Sequence, residues 1–266
     1  PAQSQVERDK TVATNESTLC IKSKKHTDRK GHSNSPGRRL PENYQRYINL
    51  LKSERGMITG RDFIITGLQP WDIAIGSNAK DIAREIAKNN RVLYVNTPVD
   101  MLNYLMHPQS PDIQHTKTLI KNKKNGLSQI TANLWTLDCP FCAFPVNCFP
   151  DGFLFDAVNR LNNKRICKHI LSAAQELRFT DHILLIDNDI YRSFYAKEFL
   201  KPRISIYYRR DNMTSAFWKK HAPRLEPLLC SKSDLVATNS PQLAEAVKSY
   251  NSNCHDIGQG VDLESF

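Results

Sequence analysis

No run of about 18 apolar residues occurs anywhere in the 266-residue sequence, which excludes a membrane-spanning helix and leaves only peripheral membrane contact. Nor does a positively charged, then apolar, leader precede a small-residue cleavage site, so no secretory signal is expected. The chain opens on Pro1 rather than Met, and its true start is expected upstream. Glycine is scarce, and Gly67 and Gly76, nine positions apart, cannot supply the tight spacing of a dinucleotide fingerprint. That disfavours a nicotinamide-dependent enzyme. Cysteine is present but unmatched: Cys139-Pro140-Phe141-Cys142 has Cys148 nearby and no second pair at a corresponding interval, short of the four ligands of a closed zinc site. Pro145 and Pro150 argue against the helix start that a redox pair needs, so ordinary buried thiols and no metal are expected. Seven cysteines, an odd number scattered through a chain this long, suit a reducing compartment, and the cytoplasm is the expected location.

What the sequence has in surplus is positive charge: 37 Lys and Arg against 27 Asp and Glu, a formal net +10. Such a balance suits an acidic partner, whether nucleic acid, anionic lipid or a phosphate-bearing substrate. Residues 1–40 carry much of it in polar sequence without apolar periodicity, and are expected to be a disordered basic tail. Within 41–60, Tyr44, Tyr47, Ile48 and Leu51 fall at helical spacing, predicting an amphipathic helix ended by Gly56. A further basic cluster occupies 117–124; a solvated surface and a phosphate-attracting patch are both open for it.

The stretch 62–96 reads as one strand, loop, helix and strand, and the later segments repeat that winding. Strands are predicted at 63–66, 92–95, 130–137, 183–186, 204–208, 235–238 and 254–257. Helices are predicted at 79–89, 153–179, 191–199, 214–230 and 243–250, with Ser77 or Asn78 as the first N-cap and Pro241 opening the last. This alternation predicts an α/β domain over 61–266: a Rossmann-like open parallel sheet with helices on both faces. Ligands of such sheets bind at the carboxyl ends of the strands. Three tips are therefore singled out: the loop 67–78, the acidic turn Asp187-Asn188-Asp189, and Arg209-Arg210-Asp211-Asn212. Acids at a buried strand's end suit sugar hydroxyls, a metal or a proton in transit, or else cap the next helix. Two arginines beside an aspartate suit a pinned phosphate with a carboxylate left as base, or else an internal ion pair. His221, alone in a predicted helix, reads as structural.

The motif Asp234-Leu235-Val236-Ala237-Thr238-Asn239-Ser240-Pro241, followed by Gly258-Gln259-Gly260-Val261-Asp262-Leu263-Glu264-Ser265-Phe266, resembles the segment closing the N-terminal domain of two-domain, GT-B glycosyltransferases. Gly67-Leu68-Gln69-Pro70-Trp71-Asp72 and Tyr207-Tyr208-Arg209-Arg210-Asp211-Asn212 are similar to the bacterial surface-polysaccharide branch. Order and spacing over 62–266 carry the resemblance. It implies the acceptor-binding half of an enzyme that moves sugar from a nucleotide-sugar co-substrate to a glycan or lipid-linked acceptor, with no tightly bound cofactor. It also implies a donor domain beyond Phe266, without which this half is expected to be inactive.

On that reading Asp211 and Asp187 are the catalytic candidates. Gln69, Trp71 and Asp72 would line the acceptor pocket, with Trp71 either a flat face for a sugar ring or a core anchor. Ser77 and Asn78, at the start of the first helix, would meet the donor diphosphate. Asp189, Arg210 and Asn239 complete the substrate-binding set. The competing reading is a non-catalytic basic module binding nucleic acid or anionic membrane, although no RNA-binding signature or recognition helix is evident and nucleic acid is disfavoured.

Overall fold

The computed structural model describes residues 58–73 and 76–258. The tail expected over 1–40, the amphipathic helix expected within 41–60 and the closing motif after Gly258 lie outside them.

Eight strands form one sheet in the order β3-β4-β2-β1-β5-β6-β7-β8. They are β1 (Asp62–Thr66), β2 (Arg91–Val95), β3 (Leu127–Thr131), β4 (Leu134–Leu137), β5 (Ile183–Asp187), β6 (Ile204–Arg209), β7 (Leu235–Thr238) and β8 (Cys254–Asp256). Every pairing is parallel except β3 with β4. The helices are α1 (Asn78–Ala87), α2 (Met101–Met106), α3 (Pro111–Lys121), α4 (Phe153–Glu176), α5 (Ala196–Leu200), α6 (Ala216–Lys219), α7 (Ala222–Lys232) and α8 (Pro241–Val247).

Alternation along the strands divides the core. Phe63, Ile65, Val92, Tyr94, Leu185 and Tyr208 pack with Ala79, Ala83 and Ala87 of α1 on one face. Ile64, Leu93, Leu184, Ile186, Tyr207 and Val236 face the other way, against Phe155, Ile166 and Ile170 of α4 and Leu225 and Leu229 of α7. Each fully buried Leu, Ile or Phe contributes about 1.5–3 kcal/mol by leaving water. Covering both faces is what the unbroken apolar run of β5 requires, and all five of its residues are buried.

Four local expectations change. The single strand expected across 130–137 is a hairpin, with polar, mostly exposed β3 antiparallel to buried β4; a strand held through its backbone leaves little apolar pattern to read. The helix expected over 214–230 is two, α6 and α7, divided at Lys220-His221 because Pro223 stands in the first turn of α7 and disfavours helix before it. The helix expected over 191–199 shrinks to α5, because Asp189 captures the preceding turn instead. Residues 111–121, polar and without a predicted element, form α3, opened by Pro111 in its first turn.

The order of strands places a topological switch at β1. The chain winds from β1 to β2 and the β3-β4 hairpin on one side, then returns to β5, β6, β7 and β8 on the other. Loops leaving β1 and β5 therefore diverge to opposite faces, opening a crevice at their carboxyl ends.

Candidate functional site

The three tips singled out in the sequence meet at this crevice. The backbone N–H of Leu68, just past β1, donates to Asp187 Oδ2 at 3.2 Å. Arg210 Nε, just past β6, donates to Asp187 Oδ1 at 2.7 Å, and Arg210 N–H donates to Asn188 Oδ1 at 3.3 Å. Asn78 Nδ2, at the start of α1, reaches over to Tyr208 Oη at 3.3 Å. The turn after β5 is tight: Asn188 has φ of 52°, a left-handed conformation that asparagine tolerates better than most residues, and its N–H donates to Tyr208 O at 2.9 Å.

The predicted residues play different parts within this rim. Asp187 has no exposed side-chain surface, and both oxygens are engaged. Burial raises its carboxyl above the ordinary value, while Arg210 and the Leu68 N–H pull the other way. Asp211 is the opposite case, 61 % exposed and 3.2 Å from Arg210 Nη1. Arg210 thus bridges a buried and a solvated carboxylate. Asp189 is buried, and its Oδ1 accepts the N–H groups of Tyr191 and Arg192 at 2.9 and 3.0 Å, the capping role weighed for it. Asn239 is half-buried at the carboxyl end of β7, on the same edge of the sheet.

On the loop after β1, Ser77 caps α1, its Oγ accepting Lys80 N–H at 3.3 Å. Trp71 is half-buried, edge-on to Tyr94 with centroids 5.1 Å apart and with the Arg84 guanidinium over its ring, so one aromatic face is already taken. Asp72 is exposed. Gln69 O accepts the Tyr94 hydroxyl at 2.8 Å, whereas Gln69 Oε1 and Thr66 Oγ1 are both buried without a hydrogen-bond partner among the described residues. A buried polar atom left unmet costs about 1–3 kcal/mol, and these two, one at the end of β1 and one on the loop after it, stand beside the charged cluster; Ser110, Asn147, Asn159, His182 and His221 each carry one such atom elsewhere. Gly67 is required here by close approach, since a Cβ on it would stand 2.1 Å from the Tyr94 ring and hydroxyl.

A further set of residues on this edge escaped the sequence. Trp71 N–H donates to Asn96 Oδ1 at 2.8 Å, Asn96 Nδ2 donates to Asp138 Oδ1 at 2.7 Å, and Asp138 Oδ2 lies 3.2 Å from Nε2 of His115. These residues come from the ends of β2 and β4 and from α3, so only parallel pairing brings them into one line. His115 is half-exposed, and the Asp138 contact at Nε2 fixes the orientation of its ring with Nδ1 on the other side. The signal available beforehand was only a polar residue at the end of each strand.

His221 is fully buried, stacked on Phe155 at 4.1 Å and hydrogen-bonded through Nδ1 to Asp151. Cys139 and Cys142 are free thiols pushed up by burial, poorly suited to nucleophilic work. Among the described residues no group of three or more His, Cys, Asp or Glu is placed to hold a metal ion. A polar cavity of about 350 Å³ lies at the opposite, amino end of the strands, beside Arg61, Asp62, Arg91 and Asp181. Its central groups are spent on one another: Arg91 forks onto Asp62 with both contacts at 2.8 Å, and Asp62 also accepts Thr180 N–H.

No protein-family model matches the chain, and no curated protein matches it significantly. Among solved structures, two of Arabidopsis thaliana UGT89C1, one complexed with UDP-L-rhamnose and one with UDP, are similar at 15 % and 16 % identity, each with a TM-score of 0.43. The matches cover 78 % and 77 % of this chain and 50 % of each UGT89C1 chain, so the sequence spans about half their length.

Proposed function

We propose that this chain is the acceptor-binding, N-terminal half of a glycosyltransferase that moves a sugar from a nucleotide-sugar to a hydroxyl of a glycan or lipid-linked acceptor. The observation supporting this reading is the rim at the β1–β5 switch, where the loop after β1, the Asp187–Arg210 pair and the solvated Asp211 converge, with Thr66 Oγ1 and Gln69 Oε1 buried and unmet among the described residues. Unmet oxygens seek hydroxyl or amide donors, which sugars carry in abundance. Two of the motifs that carry the GT-B resemblance, Gly67–Asp72 and Tyr207–Asn212, contribute Leu68 and Arg210 to this rim.

In the reaction, Asp187 positions Arg210, whose charge is then available to a phosphate, and Asp211 is the solvated carboxylate beside it. His115, held by Asp138, is the second group able to take a proton from the attacking hydroxyl. Asn78 and the first turn of α1 offer N–H donors to a diphosphate, and Gln69, Trp71 and Asp72 border the acceptor. Asp189 and Asn239 shape the neighbouring turns. The donor is a co-substrate, and no resident cofactor is invoked.

Ligand-observed NMR of the chain against panels of glycans and nucleotide-sugars tests this. Saturation transfer to a glycan is expected, and its loss in Gln69→Ala with the fold intact. If no sugar responds and the chain instead binds DNA with a steep salt dependence, the basic-module reading replaces it.

A further inference from the structure

We propose that α2 and α3 form a docking surface for an anionic lipid bilayer. None of the six residues of α2 is buried. Leu102 is 47 % exposed, and Leu105 and Met106 are each 69 % exposed; Ile120 of α3 is 45 % exposed. A two-turn helix with only Met101 and Tyr104 part-buried gains little stability from the core, and its three long aliphatic side chains Leu102, Leu105 and Met106 stay in water.

Lysines flank this apolar tip. Lys117 Nζ lies 5.3 Å from the Tyr104 ring and donates to Pro108 O at 2.9 Å, which holds α3 against α2. Lys121, Lys123 and Lys124 follow within the next turn, and none of them forms an ion pair among the described residues. Asp112 is the one acid on α3, in its first turn. The surface thus pairs aliphatic groups with unneutralised cations. Interfacial helices have this composition: the aliphatic groups enter the acyl boundary and the lysines reach outward to lipid phosphates.

Other partners fit less well. Protein interfaces exclude lysine from their centres, and single-stranded nucleic acid selects flat aromatic platforms rather than Leu and Met. The placement also has a consequence. The N-terminus of α2 is tied to Ala143 through Met101 N–H, directly after the carboxyl end of β2, so the surface adjoins the same edge of the sheet as the crevice. Docking would bring that edge to the lipid headgroups. The inference stands independently of the transferase reading, since its test is binding alone.

The test is co-sedimentation of the full chain with phosphatidylcholine vesicles, with and without phosphatidylglycerol. Wild type is compared with Leu105→Ser/Met106→Ser and with Lys121→Ala/Lys124→Ala, all of them surface changes. Binding to anionic vesicles is expected to weaken about tenfold or more in each variant, and all three chains should bind poorly to phosphatidylcholine alone. Because residues 1–57 hold many more Lys and Arg, binding through charge elsewhere in the chain would be unchanged by the Leu105/Met106 pair. Equal binding by either variant therefore overturns the proposal. So does self-association in sedimentation equilibrium that the same apolar changes abolish without altering vesicle binding, which would assign the surface to a second copy.

Discussion

Removing the guanidinium of Arg210 while keeping its stem, as in Arg210→Met, isolates the electrostatics of the crevice. Asp187 has no solvent-exposed side-chain surface, and without Arg210 its only remaining donor among the described residues is the Leu68 N–H at 3.2 Å. Breaking a buried ion pair from one side costs about 3–5 kcal/mol, because a charge is left behind without a partner. The carboxyl can escape by taking up a proton, which sets a ceiling. At pH 7, about three units above the ordinary aspartate value, that uptake costs at most about 4 kcal/mol, at about 1.36 kcal/mol per unit. Burial already raises this carboxyl in the wild type, so part of that penalty is present before the substitution and the expected loss is about 2–4 kcal/mol. The sign with pH follows. Raising the folded-state value above the unfolded one makes the penalty grow as pH rises from the unfolded value, and vanish below it. At about pH 5 the same arithmetic allows no more than about 1.5 kcal/mol. Urea unfolding of wild type and Arg210→Met at both pH values, read at constant slope, measures this. Asp187→Asn should cost less at pH 7, because Arg210 is 14 % exposed and retains Asp211 at 3.2 Å. A loss below about 0.5 kcal/mol, or one that does not shrink on acidification, refutes the reasoning.

Gly67→Ala should destabilise by about 1–3 kcal/mol and abolish the Tyr94–Gln69 hydrogen bond, seen as a shifted near-ultraviolet signal from the adjoining Trp71, because its Cβ collides with the Tyr94 ring. Asn163→Ala should cost about 2–4 kcal/mol in chemical denaturation and speed hydrogen exchange at Tyr195, whose N–H it accepts at 2.9 Å while also donating to Tyr191 O at 2.8 Å in a fully buried site. Asp151 is held below the usual carboxylate range by its hydrogen bond to His221. Its contribution is therefore complete above the ordinary value near about 3.9 and is lost as pH falls through the lowered one; Asp151→Asn should flatten that acid limb in an unfolding titration. In a form of the protein that transfers sugar, His115→Ala should lower turnover by about 10²–10⁴ with the fold preserved by circular dichroism, and unchanged turnover would remove His115 from the reaction.

Much of the architecture was legible in the linear chain because its causes are local. Short β-branched runs alternating with helical periods leave little choice but a wound sheet, and the runs at β1, β2, β5, β6 and β7 carry that pattern. The meeting of the 67–78 loop, the acidic turn at the end of β5 and the arginines at the end of β6 on one edge was also readable, since a strand's carboxyl end is a position in the sequence. Folding decided which of those residues do what. Asp187 and Asp189 lie two positions apart and are the same residue type, yet one is clamped by Arg210 and the other caps a turn, because neighbours arriving from β1 and β6 determine their contacts. The hairpin of β3, the break before Pro223 and the three asparagines Asn159, Asn162 and Asn163 buried in α4 were illegible for a related reason. A polar side chain announces only that it needs a partner; Asn163 finds one four residues away in Asn159, but the other partners of Asn162 and Asn163 stand 18 to 32 residues away. The line from Trp71 through Asn96 and Asp138 to His115 extends this to chemistry: its members are spread over 68 positions, and only parallel strands that end at a common edge bring them within hydrogen-bond distance.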